Sequence, residues 1–200
     1  MNTVQKNNNI FLNQKSNNLS EVENIIVNTF LDIELKKERY KNYKDYEIFV
    51  IEESLKKMKS IESYLFSLKE WKSMYKIDKI EDTENRFFLD SIKINNLKKN
   101  LEKEVVYHWK LTDFKNIRVS VIKNEELRRV INTGAYISLP KRINIFLSKP
   151  LIIDEKNAFL SFDIGNGELG NGAINHFTVL MKKINGKWEQ KGFYYDGLMY

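Results

Sequence analysis

The chain has 200 residues, with no cysteine, two histidines, two prolines and eight glycines, and a formal net charge of +6. The absence of cysteine excludes a disulfide framework, a thiol nucleophile and a thiolate metal site. Two histidines are too few for a three-histidine zinc site, and no apolar run reaches the roughly 20 residues that a membrane-spanning helix needs. We therefore expect no metal, no cofactor and no membrane span.

The basic excess of the chain, 33 Lys and Arg against 27 Asp and Glu, is spread along the sequence. Acids and bases alternate, as in Glu34-Leu35-Lys36-Lys37-Glu38-Arg39, and only six of the basic residues are arginine. Lysine lacks the planar fork that suits bidentate recognition of phosphates or bases. The pattern is typical of a solvated, mixed-charge surface, with weak nucleic-acid binding by dispersed lysines as a lesser alternative.

The N-terminal residues 1–18 are polar and rich in asparagine, which predicts a mobile arm. Residues 19–200 contain no internal repeat and no dividing linker, so they predict a single domain. No charged segment leads into an apolar segment at the start, so no signal peptide is predicted. The chain as given is expected to be cytoplasmic, or periplasmic or envelope-anchored if an export signal has been removed.

The first half of the chain is predicted to be mostly helical. Ser20 and Glu23 have capping-box spacing, and the apolar residues that follow recur at helical spacing, which predicts a helix from about 20 to 40. Apolar stripes predict helix through most of 44–77 as well. Shorter elements are predicted further on, namely a strand or short extended segment at 86–94, strands at 105–111 and 117–121, and short helices at 96–103 and after Asn124.

From Tyr136 onward, short β-branched and aromatic runs alternate with turn signals. Asn185-Gly186, between two such runs, is a strong hairpin signal. The predicted strands are 143–147, 151–153, 158–164, 173–184 and 187–195. The fold class is therefore predicted to be α+β, with N-terminal helices packed on a C-terminal antiparallel β-meander.

Several C-terminal motifs stand in order: Ser148-Lys149-Pro150, Asp154, Asn157-Ala158-Phe159-Leu160, the loop from Gly165 to Gly172, and Lys182-Lys183-Ile184-Asn185-Gly186-Lys187-Trp188. This pattern resembles the β-meander ending of small flavobacterial-type proteins of Bacteroidetes, many of them exported or lipid-anchored. The resemblance covers residues 143–195, about a quarter of the chain, and its motifs are mostly structural. It implies an origin and an α+β fold. The group has no established activity, so the resemblance implies no catalytic residue.

The loop Gly165-Asn166-Gly167-Glu168-Leu169-Gly170 matches G-x-G-x-x-G in form. A dinucleotide site needs a helix after the loop to hold the pyrophosphate, whereas the residues after this loop have strand character. The loop is therefore predicted to be a hairpin connection. Its oxygen-bearing side chains are weak candidates for a calcium site, without EF-hand spacing: Asp163, Asn166, Glu168 and Asn171.

Asp163 and His176 lie on the strands that flank this loop and can meet across it. With Glu168 as a loop carboxylate they define a hydrolase alternative, in which the three side chains converge in a cleft. No serine in a Gly-x-Ser-x-Gly context supplies a nucleophile, which leaves Ser148 and Ser161 as the hydroxyls available in principle. These residues are weak catalytic candidates.

The segment from Gly192 to Tyr200 is unusually aromatic and has no polar tail. Such a segment either packs on the protein's own helices or forms an exposed aromatic surface that binds a partner. The candidates for that partner surface are Phe193, Tyr194, Tyr195 and Tyr200.

No converging catalytic set stands out in the sequence. The leading hypothesis is therefore a non-enzymatic binding or accessory protein, envelope-associated or of the immunity type, whose partner is another protein. The alternatives are the hydrolase built on Asp163 and His176, and weak nucleic-acid binding.

Overall fold

The computed structural model describes residues 18–75 and 87–197. Its helices and strands, in chain order, are α1 (Glu21–Glu34), β1 (Glu47–Ile51), α2 (Met58–Tyr75), α3 (Ser91–Leu101), β2 (Ser120–Ile122), α4 (Asn124–Asn132), β3 (Arg142–Leu147), β4 (Leu151–Ile152), β5 (Asn157–Asn166), β6 (Gly172–Ile184) and β7 (Lys187–Tyr194). Short 3-10 helices span Glu38–Tyr43, Leu111–Asp113, Ala135–Ser138 and Gly167–Leu169. Helices dominate the first part and strands the last, which confirms the α+β prediction. Among the described residues, no helix combines the length and apolar character needed to cross a bilayer.

The strands form one mixed sheet in the order β2-β1-β3-β5-β6-β7. β1 runs parallel to both of its neighbours, whereas β3, β5, β6 and β7 pair antiparallel to one another. β4 pairs with the first residues of β5, whereas β3 pairs with its later residues. Pro150, which cannot donate to the ladder, separates the two short strands. The predicted antiparallel strands are therefore found from β3 to β7, and β1 and β2 add a parallel end to the sheet.

Alternation along the strands divides the core into two layers, one on each face of the sheet. On β5, Leu160 and Phe162 face α1, whereas Phe159 faces α2 and α3. Ring contacts join each helix to its layer, with centroids 4.9 Å apart for Phe30 and Phe162 and 5.5 Å apart for Tyr64 and Phe159. The helices thus cover both faces of the sheet.

The capping box predicted at the start of α1 is confirmed. The Ser20 hydroxyl accepts a hydrogen bond from the Glu23 N–H at 3.2 Å, and the Glu23 carboxylate accepts one from the Ser20 N–H at 2.8 Å. The helix ends at Glu34, before the predicted boundary near 40, because the chain turns there into the 3-10 helix Glu38–Tyr43.

The prediction of helix through most of 44–77 is right for α2 and wrong for β1. Val50 and Ile51 are both fully buried although they point to opposite faces of the sheet. A strand that is covered on both faces and lies between parallel neighbours has a continuous run of apolar residues in its sequence. The spacing of apolar residues alone does not distinguish such a run from a buried helix.

Two further predictions were also wrong, the strand or short extended segment at 86–94 and the strand at 105–111. The segment 86–94 contributes no strand among its described residues, because the Asp90 carboxylate accepts a hydrogen bond from the Lys93 N–H at 2.7 Å and caps α3. The segment 105–111 makes only an isolated bridge, between Glu53 and His108. By contrast, the hairpin prediction is confirmed, since Asn185 and Gly186 adopt φ values of 50° and 82° between β6 and β7. The predicted arm at 1–18 lies, apart from its last residue, outside the described residues.

Candidate functional site

The end of the sheet formed by β6 and β7 carries a row of partly exposed rings, which we call the aromatic surface: Phe177, Phe193 and Tyr195. Phe193 is 37% exposed and Tyr195 is 56% exposed. The Phe177 ring lies edge-on to both, with its centroid 5.9 Å from that of Phe193 and 5.0 Å from that of Tyr195. β7 is the last strand of the sheet, so among the described residues one side of its backbone is unpaired.

Tyr194 does not belong to the aromatic surface, and its prediction as a partner-surface residue is corrected. Its side chain is fully buried and packs on Tyr64 and Phe159, with centroids 5.2 Å apart in both cases. Successive residues of a strand point to opposite faces, so three consecutive aromatic residues cannot share one surface. Tyr200, the remaining candidate, lies outside the described residues.

A buried carboxylate lies beside the aromatic surface. The Glu34 side chain is fully buried and accepts hydrogen bonds from Asn175 Nδ2 at 2.8 Å, Gln190 Nε2 at 3.2 Å and the Tyr40 hydroxyl at 3.2 Å. It also forms an ion pair with Lys37. Burial, and then the charge of Glu34, raise the pKa of Tyr40 far above its usual range, so Tyr40 stays protonated as a donor. The carboxylate is thus fully satisfied by its surroundings.

This network fixes a positive charge at the rim of the aromatic surface. The Lys37 ammonium lies 4.9 Å from the centroid of the Phe193 ring, in cation–π geometry, and its side chain is 25% exposed. Glu34 was predicted to be a solvated charge, and this prediction is wrong, since its side chain is fully buried. Its helical phase was a usable signal, because Glu34 lies four residues after the core residue Phe30 on the buried face of α1.

Asp163 and His176 are brought together as the hydrolase alternative expected, since they are direct partners in the β5–β6 register. His176 Nδ1 lies 3.1 Å from Asp196 Oδ2, and Lys59 Nζ lies 3.3 Å from the same oxygen. Burial raises the pKa of Asp163, and the charges of Lys59 and His176 lower it in part. Lys59 and Asp196, which no sequence motif indicated, reach the cluster from α2 and from the residues after β7.

The hydroxyl groups next to this cluster are closed off from solvent. Ser60 Oγ lies 2.7 Å from Ser161 Oγ, which lies 2.6 Å from Thr178 Oγ1, and all three side chains are fully buried between α2 and the sheet. Ser148 is fully buried as well, and its hydroxyl accepts a hydrogen bond from the Ser161 N–H at 2.9 Å. These hydroxyls let the helix approach the sheet, and none is positioned to attack a substrate from solvent.

The glycine-rich loop is a hairpin connection, as predicted from the strand that follows it. It forms the 3-10 turn Gly167–Leu169 and then enters β6, and Gly170 and Asn171 adopt φ values of 62° and 71°. The Glu168 carboxylate accepts a hydrogen bond from the Tyr46 hydroxyl, which raises the pKa of Tyr46 to about 12. Glu168 is therefore engaged with Tyr46, away from the Asp163–His176 pair.

The four oxygen-bearing candidates for a calcium site are directed to different partners. Asn166 Oδ1 accepts a hydrogen bond from the Glu168 N–H at 2.9 Å, and Asn171 Oδ1 accepts one from Asn144 Nδ2 at 3.1 Å. Asp163 lies near Lys59 and His176 instead. Within residues 18–75 and 87–197, no group of three histidine or acidic side chains is placed to hold a metal ion.

Comparison of the chain with protein-family models, with curated proteins and with solved structures found no match. The chemistry of the residues described above is therefore the basis for inferring function.

Proposed function

We propose that this protein binds an acidic, extended segment of a partner protein alongside β7, with the aromatic surface as the anchor. The observation that carries the proposal is the pair of exposed rings at the C-terminal end of edge strand β7, namely Phe193, which lies beside the Lys37 ammonium, and Tyr195, which directly follows the strand. Aromatic side chains contribute much of the binding energy of protein interfaces, because they bury a large area at little cost in side-chain entropy.

The position of β7 supports an extended partner. An edge strand presents a row of N–H and C=O groups to which another strand can add, with main-chain hydrogen bonds for affinity and side chains for specificity. The β6–β7 ladder shifts register between Leu180 and Met181, which marks a bulge. Because a bulge disrupts regular pairing, we expect a short added strand that continues onto the aromatic surface.

Charge supports an acidic partner over a second copy of the chain. Residues 182–195 contain four lysines and one glutamate, so this hairpin has a net charge of +3. Pairing β7 with β7 of another copy would bring two such hairpins together, and like charges directly opposite each other on neighbouring strands are destabilising. Acidic side chains would instead be attracted to the hairpin and to Lys37.

Selection from a displayed library of random 12-residue peptides tests the proposal, followed by titration of the best peptide while the amide NMR signals of the chain are recorded. We expect the selected peptides to be acidic with alternating apolar residues, and the shifted signals to fall on β7 and Phe177. Replacing the acidic residues of the peptide with lysine should weaken binding by at least about tenfold.

The double variant Phe193→Ala/Tyr195→Ala should also lose at least about tenfold in affinity. Ile92→Ala is the matched control, because Ile92 is 73% exposed on α3, away from the aromatic surface. Peptides that bind the double variant as well as the unaltered chain would refute the proposal. So would self-association of the chain that the double variant abolishes, since the occupant of the surface would then be a second copy.

A further inference from the structure

A cavity of about 140 Å³ lies at the parallel end of the sheet, far along the strand order from β7. Side chains of β1, β2 and β3 form its floor, and α4 with the segment before β3 forms its cover. Most of its lining is apolar, namely Phe49, Ile122, Leu127, Val130, Leu139 and Pro140, and two charged residues complete it, Glu126 and Arg142.

The Arg142 side chain is largely buried, and its guanidinium has no hydrogen-bond or ion-pair partner in the part of the chain that the structure describes. The residue is 4% exposed. Burial lowers the pKa of Arg142, and the charge of Glu47 opposes this in part. Burying a charge is costly unless it is paired, so an unpaired guanidinium that lines a cavity points to an anion that binds there.

The backbone of Gly167 makes room for the Arg142 side chain. A Cβ atom at that position would lie 2.4 Å from Arg142 Cγ and 3.0 Å from Arg142 Nε. Glu47 is the cross-strand neighbour of Arg142 in the parallel β1–β3 register, but it is exposed and does not form an ion pair with it. The cavity thus combines a guanidinium with a mostly apolar lining.

We infer that this cavity binds a small carboxylate with an apolar body, whose carboxylate pairs with Arg142 and whose body contacts the apolar lining. The planar guanidinium matches a carboxylate in bidentate geometry. A cavity of about 150 Å³ accommodates a molecule the size of benzene, so the volume here suits a body of about six carbon atoms. Glu126, at the same cavity, would favour a ligand that also carries an ammonium group.

Isothermal titration calorimetry with hexanoate, leucine and hexanol tests this inference. It also distinguishes a simple carboxylate ligand from one that carries an ammonium group as well. All three have a six-carbon or similar body, but hexanol lacks the carboxylate. We expect hexanoate or leucine to bind at least about tenfold more tightly than hexanol, because a charge-assisted pair is lost with the alcohol. Leucine as the tighter of the two would assign Glu126 to the ammonium, and hexanoate would assign a simple carboxylate.

Variants of the chain locate the binding. Arg142→Met should weaken carboxylate binding by at least about tenfold and leave hexanol unchanged, whereas Arg128→Met, on the exposed side of α4, should change neither. Glu47→Gln should strengthen carboxylate binding, because it removes a competing negative charge near Arg142. This second variant keeps the cavity intact, so it tests the inference even if Arg142→Met folds poorly.

Three results would overturn the inference. The first is no binding of hexanoate or leucine at concentrations up to about 10 mM, where even an affinity of about −3 kcal/mol would be detected. The second is binding that Arg142→Met does not weaken although circular dichroism shows a native fold. The third is a loss of stability in Glu47→Gln, which would assign Arg142 to an internal ion pair.

Discussion

The two ends of the sheet differ in whether a positively charged side chain has an ion-pair partner among the described residues. At the β7 end, Lys37 pairs with the buried Glu34, whose oxygen atoms also accept three further hydrogen bonds. At the parallel end, Arg142 is covered without such a partner among the described residues. A buried network whose hydrogen bonds are all made stabilises the fold, whereas a buried charge without a partner is costly unless a ligand pairs with it. Lys37 is thus paired within the fold, whereas Arg142 would be paired by the proposed carboxylate ligand.

The largest effect is expected where an aromatic residue of β7 turns inward. Tyr194→Ala should lower the free energy of unfolding by about 3–5 kcal/mol, because it leaves a cavity between Tyr64 and Phe159. The neighbouring change Tyr195→Ala should cost less than about 1 kcal/mol, since Tyr195 is 56% exposed. Urea unfolding of both variants measures the difference. Equal losses would mean that Tyr195 is part of the core rather than of the aromatic surface.

The next effect concerns Glu34. Glu34→Leu should cost about 3 kcal/mol, because it leaves Asn175 and Gln190 without their acceptor and Lys37 without its counter-ion. Asp32→Asn is the control on the same helix, since Asp32 pairs with Lys36 on the surface and should contribute less than about 1 kcal/mol. Chemical denaturation in low and high salt distinguishes the two, and a small effect for Glu34→Leu would remove the buried network as a source of stability.

Arg142→Met is expected to behave in the opposite way. Replacing an unpaired buried charge with an apolar side chain of similar length should change the free energy of unfolding by less than about 1 kcal/mol, or raise it. The measurement is the same urea titration, made without added carboxylate. A loss comparable to that of Glu34→Leu would mean that Arg142 has a structural partner and would erase the contrast between the two ends.

The smallest effect is a pH dependence at Asp163. Burial raises the pKa of this carboxyl, so its proton is held more tightly in the folded state than in the unfolded chain. Its contribution to stability is therefore present in acid, below its unfolded pKa near 4, and is lost as the pH rises through the folded pKa. Asp163→Asn should consequently gain stability relative to the unaltered chain, more at pH 7 than at pH 4. Urea unfolding at both values checks the sign, and an equal difference at both would contradict it.

Local signals in the sequence predicted local structure well. The Ser20–Glu23 capping box and the Asn185-Gly186 turn were both found as predicted, because each depends on neighbouring residues alone. β1 was predicted as helix because its burial is created by strands from distant parts of the chain. The sequence could not identify it from spacing.

In the candidate sites too, contacts within one hairpin could be predicted, whereas contacts with distant segments could not. Asp163 and His176 could be paired because one hairpin carries both. Their other partners, Lys59 and Asp196, come from α2 and from the residues after β7, so no spacing connected them. Arg142 carried no signal at all, because an arginine is recognised as unpaired only when its surroundings are known.

The parallel pairing of β1 also orders events during synthesis. Phe49 of β1 pairs with Ser120 on one side and with Asn144 on the other, about 70 and 95 residues later in the chain. At about 5–20 residues per second, a ribosome needs roughly 5–20 s to reach the second of these partners after it has synthesised β1. Closing a loop by diffusion is far faster than this. In the nascent chain, β1 therefore stays without its strand partners for a time that is set by the rate of translation.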